Sequence, residues 1–271
     1  MTDMVVKPLS RERGLLVVEI GNTTTTCAVF RHDDPLEVLR ISTKSLGDRE
    51  CLNSVLPQLL STFQDTGAAV LCSVVPAVSE AVAVMLRQSG IADVLLISSN
   101  LKLPFELQYD NPESFGSDRI ALCAAGRKLF PQRPLIALDI GTAVTVDVLS
   151  ASGLYEGGFI MPGLDIMARS LHERTAQLPH VRAVHSGEFL GRSTASCIRN
   201  GIFWGCVAGI DGLTARIVRD LREQGEEEPA IIVTGGSAPA IVPFLEREVV
   251  QLELAVAKGA RYLYELNASY G

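Results

Sequence analysis

The 271-residue chain contains no CxxC pair, no HExxH helix, no GxxxxGK[ST] loop, no GxGxxG turn and no GxSxG elbow. Those absences argue against zinc clusters and zinc proteases, P-loop and Rossmann nucleotide sites, and serine-hydrolase chemistry. The six cysteines (Cys27, Cys51, Cys72, Cys123, Cys197 and Cys206) are scattered and stand mostly in apolar runs, as buried thiols of a reducing compartment do. The four histidines, at 32, 172, 180 and 185, have no metal-ligand spacing. Basic charge is also short: Lys+Arg 24 against Asp+Glu 31 gives a net charge of -7 and a pI near 5.2. No electrostatic footprint for nucleic acid or an anionic membrane is expected. The most apolar stretch, Gly67 to Leu86, is broken by Pro76 and Glu80, so it does not read as a membrane span. The opening MTDMVVKPLSRER lacks the apolar core and cleavage site of a secretory signal and reads as a short tail, residues 1–14. The expectation is a soluble, cytoplasmic protein.

What is present is a large apolar fraction, 47%, enough for one large domain or two ordinary ones. An internal repeat favours two. LLVVEIGNTTTTCAVF at 15–30 lines up without gaps on LIALDIGTAVTVDVLS at 135–150, an offset of 120. Each copy has a buried strand carrying an acid, Glu19 or Asp139, then a glycine, Gly21 or Gly141, then Asn22 or Thr142, then a second strand. A β-hairpin is predicted in each.

A third strand follows each hairpin, near 36–42 and 153–160, and helices alternate with strands thereafter. The first half predicts helices near 47–64, 76–89 and 117–130 and strands at 68–73 and 93–98. The second predicts helices near 163–173, 193–222, 237–246 and 254–267, and strands at 230–234 and 248–252. The pattern is an α/β fold of two βββαβαβα domains, 15–116 and 117–271, with helix 117–130 at the junction. Residues 174–192, rich in Gly, His and Arg, form an inserted loop.

Two such halves with acid-x-Gly hairpins resemble the actin-like (ribonuclease H-like) ATPase superfamily that includes hexokinases and acetate kinases. The resemblance implies an ATP cleft between domains. A glycine turn lets backbone N–H groups approach phosphate, neighbouring Thr and Asn side chains donate hydrogen bonds, and a strand-end carboxylate can hold a cation.

Further elements narrow the family: YDNP, the GSDR helix start, DIGTAVTVDV, GGFIMPGL, ERTAQLP, GRST and VTGG. With the IGNT hairpin they run in order from residue 15 to about 245, and the chain closely resembles the type III pantothenate kinases of coenzyme A synthesis. The resemblance implies ATP-dependent phosphorylation of pantothenate with Mg²⁺ and a monovalent cation, K⁺ or NH₄⁺. It places ATP phosphates on Glu19, Gly21, Asn22, Thr23, Thr24, Thr25 and Thr26, with Thr142 as a second nucleotide contact. It places pantothenate on Tyr109, Gly116, Ser117, Asp118, Arg119 and Thr194. Asp118 takes the role of general base, Asp139 that of monovalent-cation ligand, and Arg119 can pair with the substrate carboxylate. Gly235 and Gly236, after a buried strand, offer bare backbone to the adenosine end. A homodimer is also implied.

One hairpin departs from the family pattern: Glu19 stands where aspartate is usual, with Thr24 for Asn or His and Ala28 for Gly. The longer side chain raises an alternative, a catalytically attenuated paralogue with a ligand-binding or regulatory role. A kinase of the same fold for another small alcohol or acid is a third reading, which YDNP and TAQLP oppose. Gly201, Gly205 and Gly209, four residues apart, form a ridge on the long helix that predicts close packing inside the domain or across a dimer.

Overall fold

The structure, a computed structural model, describes residues 14–46 and 66–268. The expected helix at 47–64 and nearly all of the expected tail lie outside the described residues. The first sheet holds β1 (Gly14–Ile20), β2 (Thr24–Phe30), β3 (Pro35–Ser42), β4 (Thr66–Ser73) and β5 (Asp93–Leu96), in the order β3-β2-β1-β4-β5. β1 is Leu- and Val-rich and buried on both faces, as a central strand must be. The short turn after it forces an antiparallel β2, whereas β4 and β5 run parallel, each after a longer connection. Helix α1 (Pro76–Gln88) packs Val78, Val82 and Leu86 against Leu16, Val18 and Ile20 of β1.

The second sheet repeats the plan with β6 (Leu135–Ile140), β7 (Ala143–Leu149), β8 (Tyr155–Pro162), β9 (Ala230–Thr234) and β10 (Val250–Gln251), in the equivalent order β8-β7-β6-β9-β10. Its core joins Ile136, Leu138 and Ile140 to helices α3 (Leu164–Glu173) and α4 (Thr194–Glu223). By length and composition α4 is apolar enough to cross a membrane, which the sequence reading overlooked. Its Ile202, Phe203, Val207, Ile210 and Val218 are nevertheless buried in this core, the placement of a central packing helix. Expected helix 237–246 is shorter, a four-residue α5 (Ala238–Ile241) running into a 3-10 turn, Val242–Phe244. Pro239 and Pro243 withhold backbone donors there.

Two compact units result, but their boundaries are not those expected from the repeat. Phe130–Glu253 is one unit; the residues up to Leu129 and those from Leu254 onward form the other. Helix α2 (Ser117–Leu129) therefore belongs to the first unit, together with α6 (Ala255–Ala268). The cause is visible at Gly259, where a Cβ would stand 2.6 Å from the Ala121 carbonyl carbon and 3.2 Å from the Ala125 Cβ. Small residues on α2 and α6 let the two backbones meet, and buried Leu263 and Tyr264 extend the contact surface of α6. Arg261 and Lys258 also reach Asp33 and Asp34 in the β2–β3 turn, at 2.9 and 3.0 Å. The aspartates are 85% exposed, so these pairs contribute little beside the apolar packing.

The glycine ridge of α4 meets a different outcome. A Cβ built at Gly201, Gly205 or Gly209 finds no atom within 4 Å among the described residues, so their packing does not explain these glycines.

Candidate active site

The two hairpins differ by one residue, which the gapless alignment concealed. In the first, Ile20 pairs with Thr25 and Glu19 with Thr26; in the second, Ile140 pairs with Val144 and Asp139 with Thr145. The first turn is one residue longer, so Thr26 corresponds to Thr145 rather than to Val146. Residues opposed across an antiparallel pair share a face. In each unit the acid thus faces a threonine, away from the Ile-lined core.

The hairpin threonines have separate tasks. Thr25 is fully buried, and its hydroxyl lies 3.0 Å from that of Thr43. Thr43 donates its hydroxyl to the Gly21 carbonyl at 2.7 Å and its N–H to the Thr23 carbonyl at 2.9 Å. This knot shapes the turn, so Thr25 holds the loop rather than presenting a group to a ligand. Asn22, Thr23 and Thr24 are exposed at the tip. Thr43 has no motif signal; only the folding of β3 back beside β2 places it there.

The carboxylate of β1 meets that of α2 around a thiol. Glu19 is paired in register with Cys72 of β4, and the Cys72 thiol donates to the Ser117 hydroxyl at 3.6 Å. Burial first, then the charges of Glu19 and Asp118, push the Cys72 thiol well above its ordinary pKa. Cys72 therefore stays protonated between the two acids. Ser117 in turn donates to the Ser73 carbonyl at 2.8 Å. Ser117 occupies the first turn of α2: the Ile120 N–H bonds to the Gly116 carbonyl, and the Ser117 hydroxyl ties the helix start to β4. Cys72 was legible only as a buried thiol.

Asp118, next in the chain, is half-buried, and burial raises its carboxyl above the ordinary value. The Arg119 N–H, donating to Asp118 Oδ1 at 2.8 Å, and the Arg119 charge counter that rise without cancelling it. A Cβ at Gly116 would stand 2.5 Å from Asp118 Oδ1, so only glycine leaves the carboxylate where it is. Arg119 is buried, with its guanidinium 4.3 Å from the Phe115 ring centre and 5.9 Å from that of Tyr109. The two rings meet edge to face, at 5.0 Å. A guanidinium over an aromatic face is held in orientation without losing its charge. Phe115, which no motif singled out, supplies that face.

In the second unit, Asp139 ends the same kind of strand. Gly141 and Gly235 close on it: a Cβ at Gly141 would stand 3.3 Å from Asp139 Oδ1, and one at Gly235 would collide with that oxygen and lie 2.6 Å from the Ile140 backbone. Gly235 has φ +104, a conformation open to glycine and costly for other residues. Thr142 is exposed in the turn, and its carbonyl accepts from the Gly163 N–H at 3.0 Å. Gly163 also abuts this turn so closely that a Cβ would lie 2.9 Å from the Thr142 carbonyl carbon. Gly236 is exposed. Thr194 is exposed at the start of α4, next to Ser193, whose side chain caps that helix. Tyr109 and 116–119 thus gather in the first unit, and Asp139, Thr142, Gly163 and Gly235 in the second.

Solved structures with the same arrangement include MreB5 of Spiroplasma citri bound to ADP, with TM-score 0.52 and 12% identity over 97% of this chain and 100% of that one. The ethanolamine utilization protein EutJ from Carboxydothermus hydrogenoformans gives TM-score 0.51 and 14% identity, over 97% and 94%. The fold is the one these two proteins share. Within that fold class, the family described as type III pantothenate kinase matches residues 15–216. The type III pantothenate kinase of Chlorobium luteolum is 47% identical over 254 residues, 93% of this chain and 94% of the relative, and that of Chlorobaculum tepidum is 44% identical over 253 residues, 93% and 94%. The more distant one of Thermobifida fusca is 31% identical over 258 residues, 93% and 99%. The chain belongs to the type III pantothenate kinase family.

Proposed function

We infer that the protein transfers the γ-phosphoryl group of ATP to the primary hydroxyl of pantothenate, giving 4'-phosphopantothenate and ADP, the first step of coenzyme A biosynthesis. The observation that carries the assignment of roles is the convergence of Glu19 and Asp118 on Cys72. One strand-end carboxylate beside a glycine turn suits a nucleotide's phosphates and their metal; one desolvated carboxylate at a helix start suits a proton acceptor.

In this reading the exposed tip, Asn22, Thr23 and Thr24, with Gly21, presents backbone and side-chain donors to the phosphates, and Thr26 stands beside Glu19. Thr142, Gly235 and Gly236 are the nucleotide contacts of the second unit. Asp118 accepts the hydroxyl proton as the new O–P bond forms and the bond to the ADP oxygen breaks, while Arg119, oriented by Phe115, pairs with the pantothenate carboxylate. Tyr109 and Thr194 complete the substrate contacts, and Ser117 acts by fixing Asp118. Mg²⁺ bound to ATP supplies charge neutralisation at the phosphates. Among the described residues no cluster of three or more His, Cys, Asp or Glu exists, which suits a cation held by one carboxylate and the nucleotide rather than by a protein cage. Asp139 is the ligand for K⁺ or NH₄⁺.

The protein acts as a cytoplasmic homodimer. The ridge glycines of α4, each costing roughly 1 kcal/mol of helix propensity relative to alanine, are accounted for by a close approach of a second copy. Incubation with ATP, Mg²⁺ and K⁺ tests the activity: ADP release must require pantothenate, and phosphopantothenate must appear by mass. ADP release that is indifferent to pantothenate sinks the reading.

A further inference from the structure

Thr145 is the residue of the second hairpin that the repeat misaligned, and it has an unusual environment. Its hydroxyl oxygen is buried and has no hydrogen-bond partner among the described residues. A hydroxyl has one donor and two acceptor positions, and a buried one is normally satisfied. On β7 Thr145 stands opposite Asp139, and opposed side chains on an antiparallel pair have Cβ atoms about 4.5–5.5 Å apart. On the other side of Asp139, β9 places Thr234 in register, and the bare backbone of Gly235 closes over Asp139 Oδ1. The next outward position on β7, Asp147, is fully buried and accepts from the Tyr155 hydroxyl at 2.9 Å.

We propose that the Thr145 hydroxyl is a second oxygen ligand for a monovalent cation held by Asp139. The proposal rests on the reading of Asp139 as the cation ligand and adds a residue to it. The charge pattern selects the ligand class. Two carboxylates, Asp139 and Asp147, lie on this face within one strand pair, so an anion placed against Thr145 would be repelled, whereas a cation satisfies both the carboxylate and the unused lone pairs. One carboxylate with neutral oxygens also suits a singly charged ion, because a divalent ion draws more anionic ligands. The first hairpin sets Thr26 opposite Glu19 in the same way, so the acid–threonine pair is part of the duplicated plan rather than an accident of one strand.

The test is a titration that needs no turnover. Thallium(I), a spectroscopic substitute for K⁺, is titrated into the protein and followed by ²⁰⁵Tl NMR, and thermal midpoints are measured in KCl and NaCl at equal ionic strength. Thr145→Val, which keeps the shape and removes the oxygen, is expected to shift the titration midpoint at least tenfold and erase the K⁺-specific thermal gain. Thr145→Ser must keep the midpoint within twofold. Asp139→Ala must abolish binding. If Thr145→Val matches wild type within twofold while Asp139→Ala loses binding, the Thr145 proposal is wrong and the Asp139 reading stands. If Asp139→Ala binds as wild type does, the Asp139 reading fails and takes this proposal with it. Should Thr145→Val fail to fold, as circular dichroism in the absence of K⁺ would show, the serine variant decides, since its loss of binding also refutes a hydroxyl ligand.

Discussion

Replacing Asp118 by asparagine separates chemistry from folding. The side chain keeps its size, and the amide oxygen can still accept the Arg119 N–H bonded to Oδ1 at 2.8 Å. What disappears is the proposed proton acceptor. A positioned base contributes about 10²–10⁴-fold, which is roughly 2.7–5.4 kcal/mol of barrier, so turnover should fall by that factor with pantothenate binding little changed. Stability should move the other way. Burial raises the Asp118 pKa in the folded protein, so the native state binds the proton more tightly than the unfolded chain does. Below the ordinary carboxylate pKa of about 3.9 both states are protonated and the carboxyl imposes no penalty. As pH rises through that value the unfolded chain ionises first and stability is lost, until the native carboxyl ionises as well. The asparagine variant escapes the loss, so its denaturation midpoint should exceed the wild-type value at pH 7 and approach it near pH 3. A coupled assay of ADP release and urea denaturation at the two pH values measure both effects. Turnover within threefold of wild type removes Asp118 as the base; an asparagine variant less stable than wild type at pH 7 refutes the account of its desolvation.

Glu19→Asp shortens the first-hairpin acid by about 1.5 Å and is expected to raise kcat without changing pantothenate affinity; a fall in kcat would show a hairpin already fitted to glutamate. Gly259→Ala should destabilise the protein by about 1–3 kcal/mol through overpacking against Ala121, whereas Gly201→Ala, in open space, should gain up to about 1 kcal/mol in helix propensity; equal denaturation midpoints for the two variants would contradict the packing described. Gly205→Trp should convert the proposed dimer to monomer in sedimentation velocity at micromolar protein, and a wild-type monomer under the same conditions would remove the intersubunit reading of the ridge.

Much of the architecture can be read in the sequence because it depends on local pattern. Runs such as LLVVEI and LIALDI predict central strands, and acid-x-Gly predicts the turns between β1 and β2 and between β6 and β7. The register of those turns cannot be read the same way. A single extra residue in a loop leaves the hydrophobic pattern before it intact and changes which threonine faces the acid, so Thr145 was matched with Thr25 instead of Thr26. Cys72 gains its significance from Glu19, more than fifty residues away, and nothing near it in the chain marks it; Phe115 stands between YDNP and GSDR, but only the folded chain shows its ring against Tyr109 and Arg119. The 3.6-residue period that predicts α6 gives its apolar face but not the helix it packs on, and the assignment of that helix to the second domain failed for this reason.

The return of α6 to the first unit imposes an order on synthesis. The ribosome releases the whole of Phe130–Glu253 before Gly259 can reach Ala121, so the later-encoded unit is the first with all of its residues available. Domains generally fold as units during translation. Here the first unit must wait, with the surface of α2 uncovered, for α6. Truncation shortly before Ala255 would therefore expose a helix near the middle of the sequence, and a nascent chain stalled there would be a natural client for chaperones.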